Sequence, residues 1–348
     1  MKKPLKQSAG VALVTVLLVV AAATIAAVSI SVRQQVDIRR TESLLRSDQA
    51  WLHALGVESW AKGRLDELAK DIAKDPTLAP VRRNGEEWEI IMRDDGSVEG
   101  GDVVGKLIEQ QGRFNLNNLV KDPNPNPNPN PNQKQNLISN PTGKQRFEKL
   151  LLILGINDAD ILADALTDWL DTDQVMTGIG GAEDDHYQSL EKPYRAANRL
   201  MAHPSELLLV EGFTLAIYRK LIGHVTALPA SNIKININTA SKEVLESVLT
   251  GMDSRGIDDI ITTRDAVPYA ALPTVAGVDY TGAGVESRYF SVVAGATVGK
   301  AKVALISLLG QTNVLQGVPG APQVQGLPGN VIVLHRMRED VLELEDMY

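Results

Sequence analysis

The chain has 348 residues, 44% of them apolar, and carries 35 Lys and Arg against 43 Asp and Glu for a net charge of −8. That length holds two or more domains with real cores, and the acidic balance argues against a general nucleic-acid-binding surface. Cysteine is absent, which excludes disulfides, thiolate metal sites and cysteine nucleophiles.

The N-terminus is the most informative stretch. Residues 1–10 carry Lys2, Lys3 and Lys6 and no acid, and residues 11–32 then run without a charge. As a helix that run spans about 33 Å, enough to cross a bilayer core. Three readings meet here: a cleaved secretory signal, a plain signal anchor, and a prepilin leader cut between Gly10 and Val11. A secretory signal has a shorter apolar core with a small-x-small site after it, and no clean break follows this one. The stretch KQSAG-VALVTVLLV has the prepilin order: basic leader, glycine at the cut, apolar run at once. The plain anchor stays open beside it.

No proline lies between Lys6 and Asp75, and Leu44, Leu45, Trp51, Leu52 and Leu55 recur at helical spacing. The apolar helix is therefore expected to continue as an amphipathic one to about Ala73, with Gly56 and Gly63 as weak points. Half in lipid and half packed on a domain is the pilin arrangement. Residues 88–92 and 103–110 read as strands, with a turn at Asp94-Asp95-Gly96. Residues 122–132 read DPNPNPNPNPN. Proline at every second position forms neither helix nor sheet, so this is a linker or extended loop.

From Thr142 to about Asp279 the pattern is helical. TGKQRFEKLLLILGI ends at Gly155, and NDADILADALTDWLD opens on an Asn157/Asp158 cap with Ile161, Leu162, Leu166, Trp169 and Leu170 along one stripe. HPSELLLVEGFTLAIYRKLIGHV, NINTASKEVLESVLTGM and SRGIDDIITTRDA complete a set of short helices joined at glycines. Then RYFSVVAGATVG, AKVALISLLGQ and GNVIVLHRMRED read as strands. Strands before and after a helical block predict an α+β fold with a helical domain inserted.

Several stretches together resemble the K-type minor pseudopilins of type II secretion (general secretion pathway protein K). They are GVALVTVLLVVA from Gly10, RQQVDIRRTESLL from Arg33, QGRFNLNNLV from Gln111 and DWLDTD from Asp168. GGAEDDHYQSLEKPYRAANRLMAHPSELLLVEGFT from Gly180 and NINTASKEVL from Asn236 complete them. The likeness covers most of the chain and lapses in the Asn-Pro tract. It implies a pilin-like transmembrane/amphipathic helix packed on an antiparallel sheet, with a large inserted all-α domain of helix-hairpin-helix or SAM-like type. The division expected is a leader at 1–10, the transmembrane part of the helix at 11–32, and pseudopilin helix and first strands at 33–120. The linker at 121–141, an inserted helical domain at 142–280 and a return to the sheet at 281–348 follow. The resemblance further implies inner-membrane insertion with the C-terminal domain in the periplasm, and cleavage and N-methylation at Gly10–Val11 by the prepilin peptidase. It implies assembly with the minor pseudopilins I and J at the filament tip, and through them with H and the major pseudopilin G. One departure stands out: most pilin-like proteins carry Glu at the fifth mature position, where this chain has Thr15, and residues 11–32 hold no acid. In such filaments that Glu is thought to neutralise a neighbour's amino terminus, and a buried pair is tolerable because its charges compensate. A subunit without it suits a filament end; a hydroxyl bonded to its own helix is the plainer account.

The sharpest chemical feature is acidic. No Lys or Arg lies between Lys149 and Lys192, while Asp164, Asp168 and Asp171 fall at i, i+4 and i+7. Asp173, the glycines 178, 180 and 181, and Glu183-Asp184-Asp185 follow. Like charges this close repel unless solvent or a cation intervenes, and carboxylates in a flexible Gly-rich loop are what Ca²⁺ takes. The spacing is not that of an EF-hand, and a solvated acidic loop accounts for the same residues. The resemblance favours calcium, one or two ions, with Asp171, Asp173, Glu183 and Asp185 as ligands and Asp184 as a further candidate. His186 sits beside the loop, but Ca²⁺ prefers oxygen. The five histidines make no HExxH spacing, and there is no G-x-S-x-G or Walker A sequence, so no enzyme is expected. A membrane-anchored helix-hairpin-helix DNA-binding protein is the alternative reading. Residues 121–280 hold 14 Lys and Arg against 21 Asp and Glu, a net of −7, and a phosphate-binding domain should be basic.

Overall fold

The computed structural model describes residues 9–74, 88–92, 101–123, 136–311 and 331–339. The turn expected at 94–96, most of the leader and the Asn-Pro repeat lie outside them. Helix α1 (Ala9–Lys74) is a single 66-residue element, about 99 Å long at the α-helical rise; Gly56 and Gly63 do not break it. Strands β1 (Trp88–Met92) and β2 (Gly101–Glu109) follow, then β3 (Phe114–Asn115), β4 (Val120–Lys121) and β5 (Ile138–Ser139). The helical stretch contains α2 (Pro141–Ile153), α3 (Ala159–Leu170), α4 (Asp184–Gln188), α5 (Leu215–Leu221), β6 (Val225–Thr226), β7 (Ile235–Asn236), α6 (Lys242–Val248), α7 (Ser254–Ala266) and β8 (Ala283–Gly284). The long strands β9 (Tyr289–Val298), β10 (Ala301–Gln311) and β11 (Val331–Glu339) come last.

One five-stranded antiparallel sheet, in the order β1-β2-β9-β10-β11, receives α1. Ala50, Ala54, Val57, Ala61 and Leu65 are buried and form the contact stripe, at helical spacing. Facing them are Val103, Leu107, Phe290, Val292, Ala294, Ala296, Val298, Val303, Leu305 and Leu309. The stripe is mostly alanine, which lets the helix axis lie close to the strands. This reverses part of the sequence expectation: Leu44, Leu45 and Leu52 are exposed, while Trp51 and Leu55 only flank the core. Every side chain described from Leu13 to Leu45 is exposed, including a stretch long and apolar enough to cross a membrane. An ion pair with a buried carboxylate and a half-exposed guanidinium fixes the helix against the sheet. Glu58, 3% exposed, accepts Arg336 Nε and Nη2 at 2.7 Å each and Ser307 Oγ at 2.6 Å.

Strands β2 and β9 pair directly, Glu109 opposite Phe290, so the chain leaves the sheet and returns to it side by side. A second core lies within this excursion and draws on residues from Phe114 to Ala283. Residues 114–120, expected with the sheet, therefore belong with the helices. Buried asparagines explain why. Asn117 Nδ2 donates to Met201 O at 2.9 Å and Leu228 O at 2.7 Å, and its Oδ1 accepts Met201 N at 2.8 Å. Asn115 binds Leu228 N and Ala230 O, and Asn118 binds Ile233 N and O. β3 and β4 pair only in two-residue ladders with β6 and β5, while the backbone of the facing loops at 201 and 228–233 is satisfied by these side-chain amides.

Candidate acidic cation site

Helix α3 begins at Ala159 with Asp158 in the left-handed region and no capping bond from its side chain, so the expected Asn157/Asp158 cap is not formed by Asp158. Its apolar stripe buries Leu162, Leu166, Trp169 and Leu170, while Ile161 stays 43% exposed. The acidic positions do share one face, and that face is turned inward: Asp164, Asp168 and Asp171 are 5%, 0% and 2% exposed. A solvated acidic surface is therefore not what the helix presents.

The three carboxylates do different things. Asp164 pairs with Lys144 and accepts Gly180 N at 3.1 Å. Asp168 accepts Thr177 N, at 3.0 Å through Oδ1. These two latch the following loop onto the helix. Asp171, at the helix C-cap, instead faces Asp173 and Glu183; ligand oxygens of all three lie within 4.8 Å of one another. Asp171 Oδ1 and both Glu183 carboxylate oxygens are buried with no hydrogen-bond partner. Burial, then repulsion from Asp173, Asp168 and Glu183, pushes the Asp171 carboxyl up to about 8. Burial and the neighbouring Asp168, Asp173 and Asp184 push Glu183 up to about 7. Asp173 is exposed and accepts Val175 N at 2.8 Å, but the buried, unpartnered carboxylates of Asp171 and Glu183 are costly as they stand, and oxygen donors of this kind suit a hard divalent cation.

The remaining sequence candidates lie outside this trio. Asp184 accepts Ala196 N at 3.0 Å and stands 3.8 Å from Arg195. Asp185 is exposed in α4. His186 Nε2 meets Glu211 Oε2 at 3.0 Å and is turned to that partner. Asp168 was visible as part of the α3 spacing but not as the loop's anchor; only its 0% exposure and the Thr177 bond reveal that. Gly10 and Val11 both lie in the first turns of α1.

Residues 112–230 match the family model described as type II secretion system protein K. The type II secretion system protein K of Pseudomonas aeruginosa is 35% identical over 314 residues, 86% of this chain and 88% of that protein. The protein of the same name from Aeromonas hydrophila is 30% identical over 321 residues, 87% and 93% of the two chains. Among solved structures, a chain of the GspK-GspI-GspJ complex from enterotoxigenic Escherichia coli superposes with a TM-score of 0.59 at 21% identity, covering 86% of this chain and 99% of that one.

Proposed function

The chain belongs to the type II secretion system protein K family, a minor pseudopilin of the secretion apparatus, and on that premise we propose that it forms the tip of a periplasmic pseudopilus. There it joins the minor pseudopilins I and J, and through them H and the major pseudopilin G, to start or limit assembly for the export of folded proteins. The observation that carries this is the two-sided helix. The buried stripe from Ala50 to Leu65 binds the chain's own sheet, while Ile38, Leu45 and Leu52, seven residues apart, stay 65%, 59% and 64% exposed beyond the apolar span. Heptad spacing of this kind suits a helix of another subunit. A complex of the solved neighbour with GspI and GspJ supports those two partners. Residues 11–32 carry no acid to answer a neighbour's amino terminus, and the excursion is bulky; both suit the end of a filament. The test is a Leu45→Asp/Leu52→Asp variant, expected to lose co-purification with I and J. Normal pseudopilus number and length in cells lacking the chain would defeat the capping role.

Maturation follows the same reading. The prepilin peptidase cuts between Gly10 and Val11 and methylates Val11, leaving a single-pass inner-membrane protein with its C-terminal part in the periplasm. Mass spectrometry of the mature N-terminus should find methylated Val11; an intact Met1 would return the chain to a plain signal anchor.

The acidic trio is read as a Ca²⁺ site. Asp171, Asp173 and Glu183 would hold the ion, with backbone oxygens or water completing a coordination of six to eight. The ion would neutralise the repulsion described above and tie the end of α3 to the start of α4. Added Ca²⁺ should raise the melting temperature and chelator lower it, and Asp171→Asn should abolish the response. No shift in either direction would sink the assignment. The α6–α7 pair, turned at Gly251 with φ +87°, is read as a helix-hairpin-helix serving as scaffold.

A further inference from the structure

The loop between Asp171 and Glu183 holds three large apolar side chains in water. Val175 is 72% exposed, Met176 65% and Ile179 98%. A loop free to rearrange would withdraw such groups. This one is fastened from beneath. Val175 N donates to Asp173 Oδ1 at 2.8 Å, Thr177 N to Asp168 Oδ1 at 3.0 Å, and Gly180 N to Asp164 Oδ2 at 3.1 Å. Gly178 takes φ +60°, and a Cβ there would collide with the Asp164 carboxyl. A Cβ on Gly181 would meet Asp168 Oδ2 at 2.5 Å and Thr177 N at 2.7 Å. The main chain is thus held tight against α3 by buried carboxylates, and the apolar side chains stand off it. Ile161, half exposed against Gly180, extends the apolar surface onto the helix. A tip ordered in advance loses little freedom on docking.

Its surroundings define the kind of partner. Asp160, Asp173 and Asp185 are exposed in the same stretch, which has no Lys or Arg between Lys149 and Lys192. Residues 142–280 hold 12 Lys and Arg against 20 Asp and Glu. An anionic lipid surface would repel this rim, and a second copy docking tip to tip would set acid against acid. We propose that residues 174–180 form a docking tip for another protein that presents an apolar hollow bordered by Lys or Arg side chains, with Ile179 as the anchor. Asp164 and Asp168, which latch the loop onto α3, are separate from the proposed cation ligands; Asp173, which holds Val175 N, is one of those ligands, so the tip shares that single contact with the calcium reading.

The test places a photo-activated benzophenone side chain at position 179 of the full-length chain in secreting cells, with the exposed Thr262 position as control. The expected adduct, mapped by mass spectrometry, falls on one protein surface whose apolar residues are flanked by two or more Lys or Arg. Its yield should fall at least about tenfold in the Val175→Ser/Met176→Ser background, the effect of losing an interface anchor. An adduct to lipid, to a second copy of this chain or to a surface without basic residues would overturn the proposal, as would a yield no greater than the control. A lower melting temperature in Val175→Ser/Met176→Ser/Ile179→Ser would also overturn it, by making the tip part of the fold.

Discussion

Asn117 shows how much one side chain organises. It is fully buried, and its amide serves two carbonyls and one N–H from chain segments 84 and 111 residues away. Asn117→Ala would leave those groups without partners, at a cost of about 3 kcal/mol. Urea denaturation should show that loss, while a cut at an exposed site such as Thr262→Ala should move the midpoint little. The sequence displays FNLNNL but no sign of what the asparagines hold, because their partners are distant loops and amide bonding leaves no periodic trace. The acidic trio is half legible in the same sense. Charge density and the i, i+4, i+7 spacing mark the neighbourhood. Which carboxylates converge depends on the turn taken after Leu170 and on where α4 begins, since Glu183 is its N-cap while Asp184 and Asp185 lie inside it.

Among elements, α1 carries the chain's division of labour. Its length follows from the absence of proline, and its start and end were readable. The face it buries was not. Hydrophobic spacing points to the large leucines, yet close approach to a sheet favours alanine, and Leu44, Leu45 and Leu52 are left for other contacts. The Glu58–Arg336–Ser307 cluster then sets the helix's position. Burial alone would raise the Glu58 carboxyl, but the hydrogen bonds from Arg336 and Ser307 outweigh it and hold it below its ordinary value of 4.5. A group held low in the folded state stabilises above its unfolded pKa, and that contribution is lost as pH falls through the folded one. Melting temperature should therefore drop on acidification below about pH 4.5, and Glu58→Gln should flatten that part of the profile. Arg336→Ala, which strands the buried carboxylate, should cost about 2 kcal/mol at neutral pH; an unchanged midpoint would show that Ser307 and solvent suffice.

At the scale of the whole molecule, the two large hydrophobic cores lie on either side of the point where β2 ends and β9 begins. The strand–helices–strand order made the mixed fold legible. The width of the excursion was not, since Phe114 to Val120 look like sheet residues until their asparagine ties are seen. The junction is closed by local bonds. Gln110 N donates to Tyr289 O at 3.0 Å, and the Gln111 amide accepts Arg288 N at 2.6 Å. Glu109 accepts Gln111 N at 2.6 Å and Gly112 N at 2.7 Å. Because the two strand ends already face each other, replacing residues 112–286 with a short glycine turn should leave β2 and β9 a hairpin and the sheet folded. Circular dichroism of that shortened chain would check it, and a loss of strand signal would show that the excursion holds the sheet together.

The same side-by-side departure has a mechanical consequence. A filament that moves transmits load through its subunits. Tension applied to the excursion would reach the sheet at one end of the β2–β9 ladder, where Gln110 and Tyr289 meet. If the two strands were drawn apart from that end, the ladder bonds would lie along the pull and would fail one after another, as a zipper opens. Load carried along α1 would instead be spread over the whole alanine stripe and the Glu58 clamp at once. Under such loads the molecule would be stronger along its helix than at the stem of its largest part.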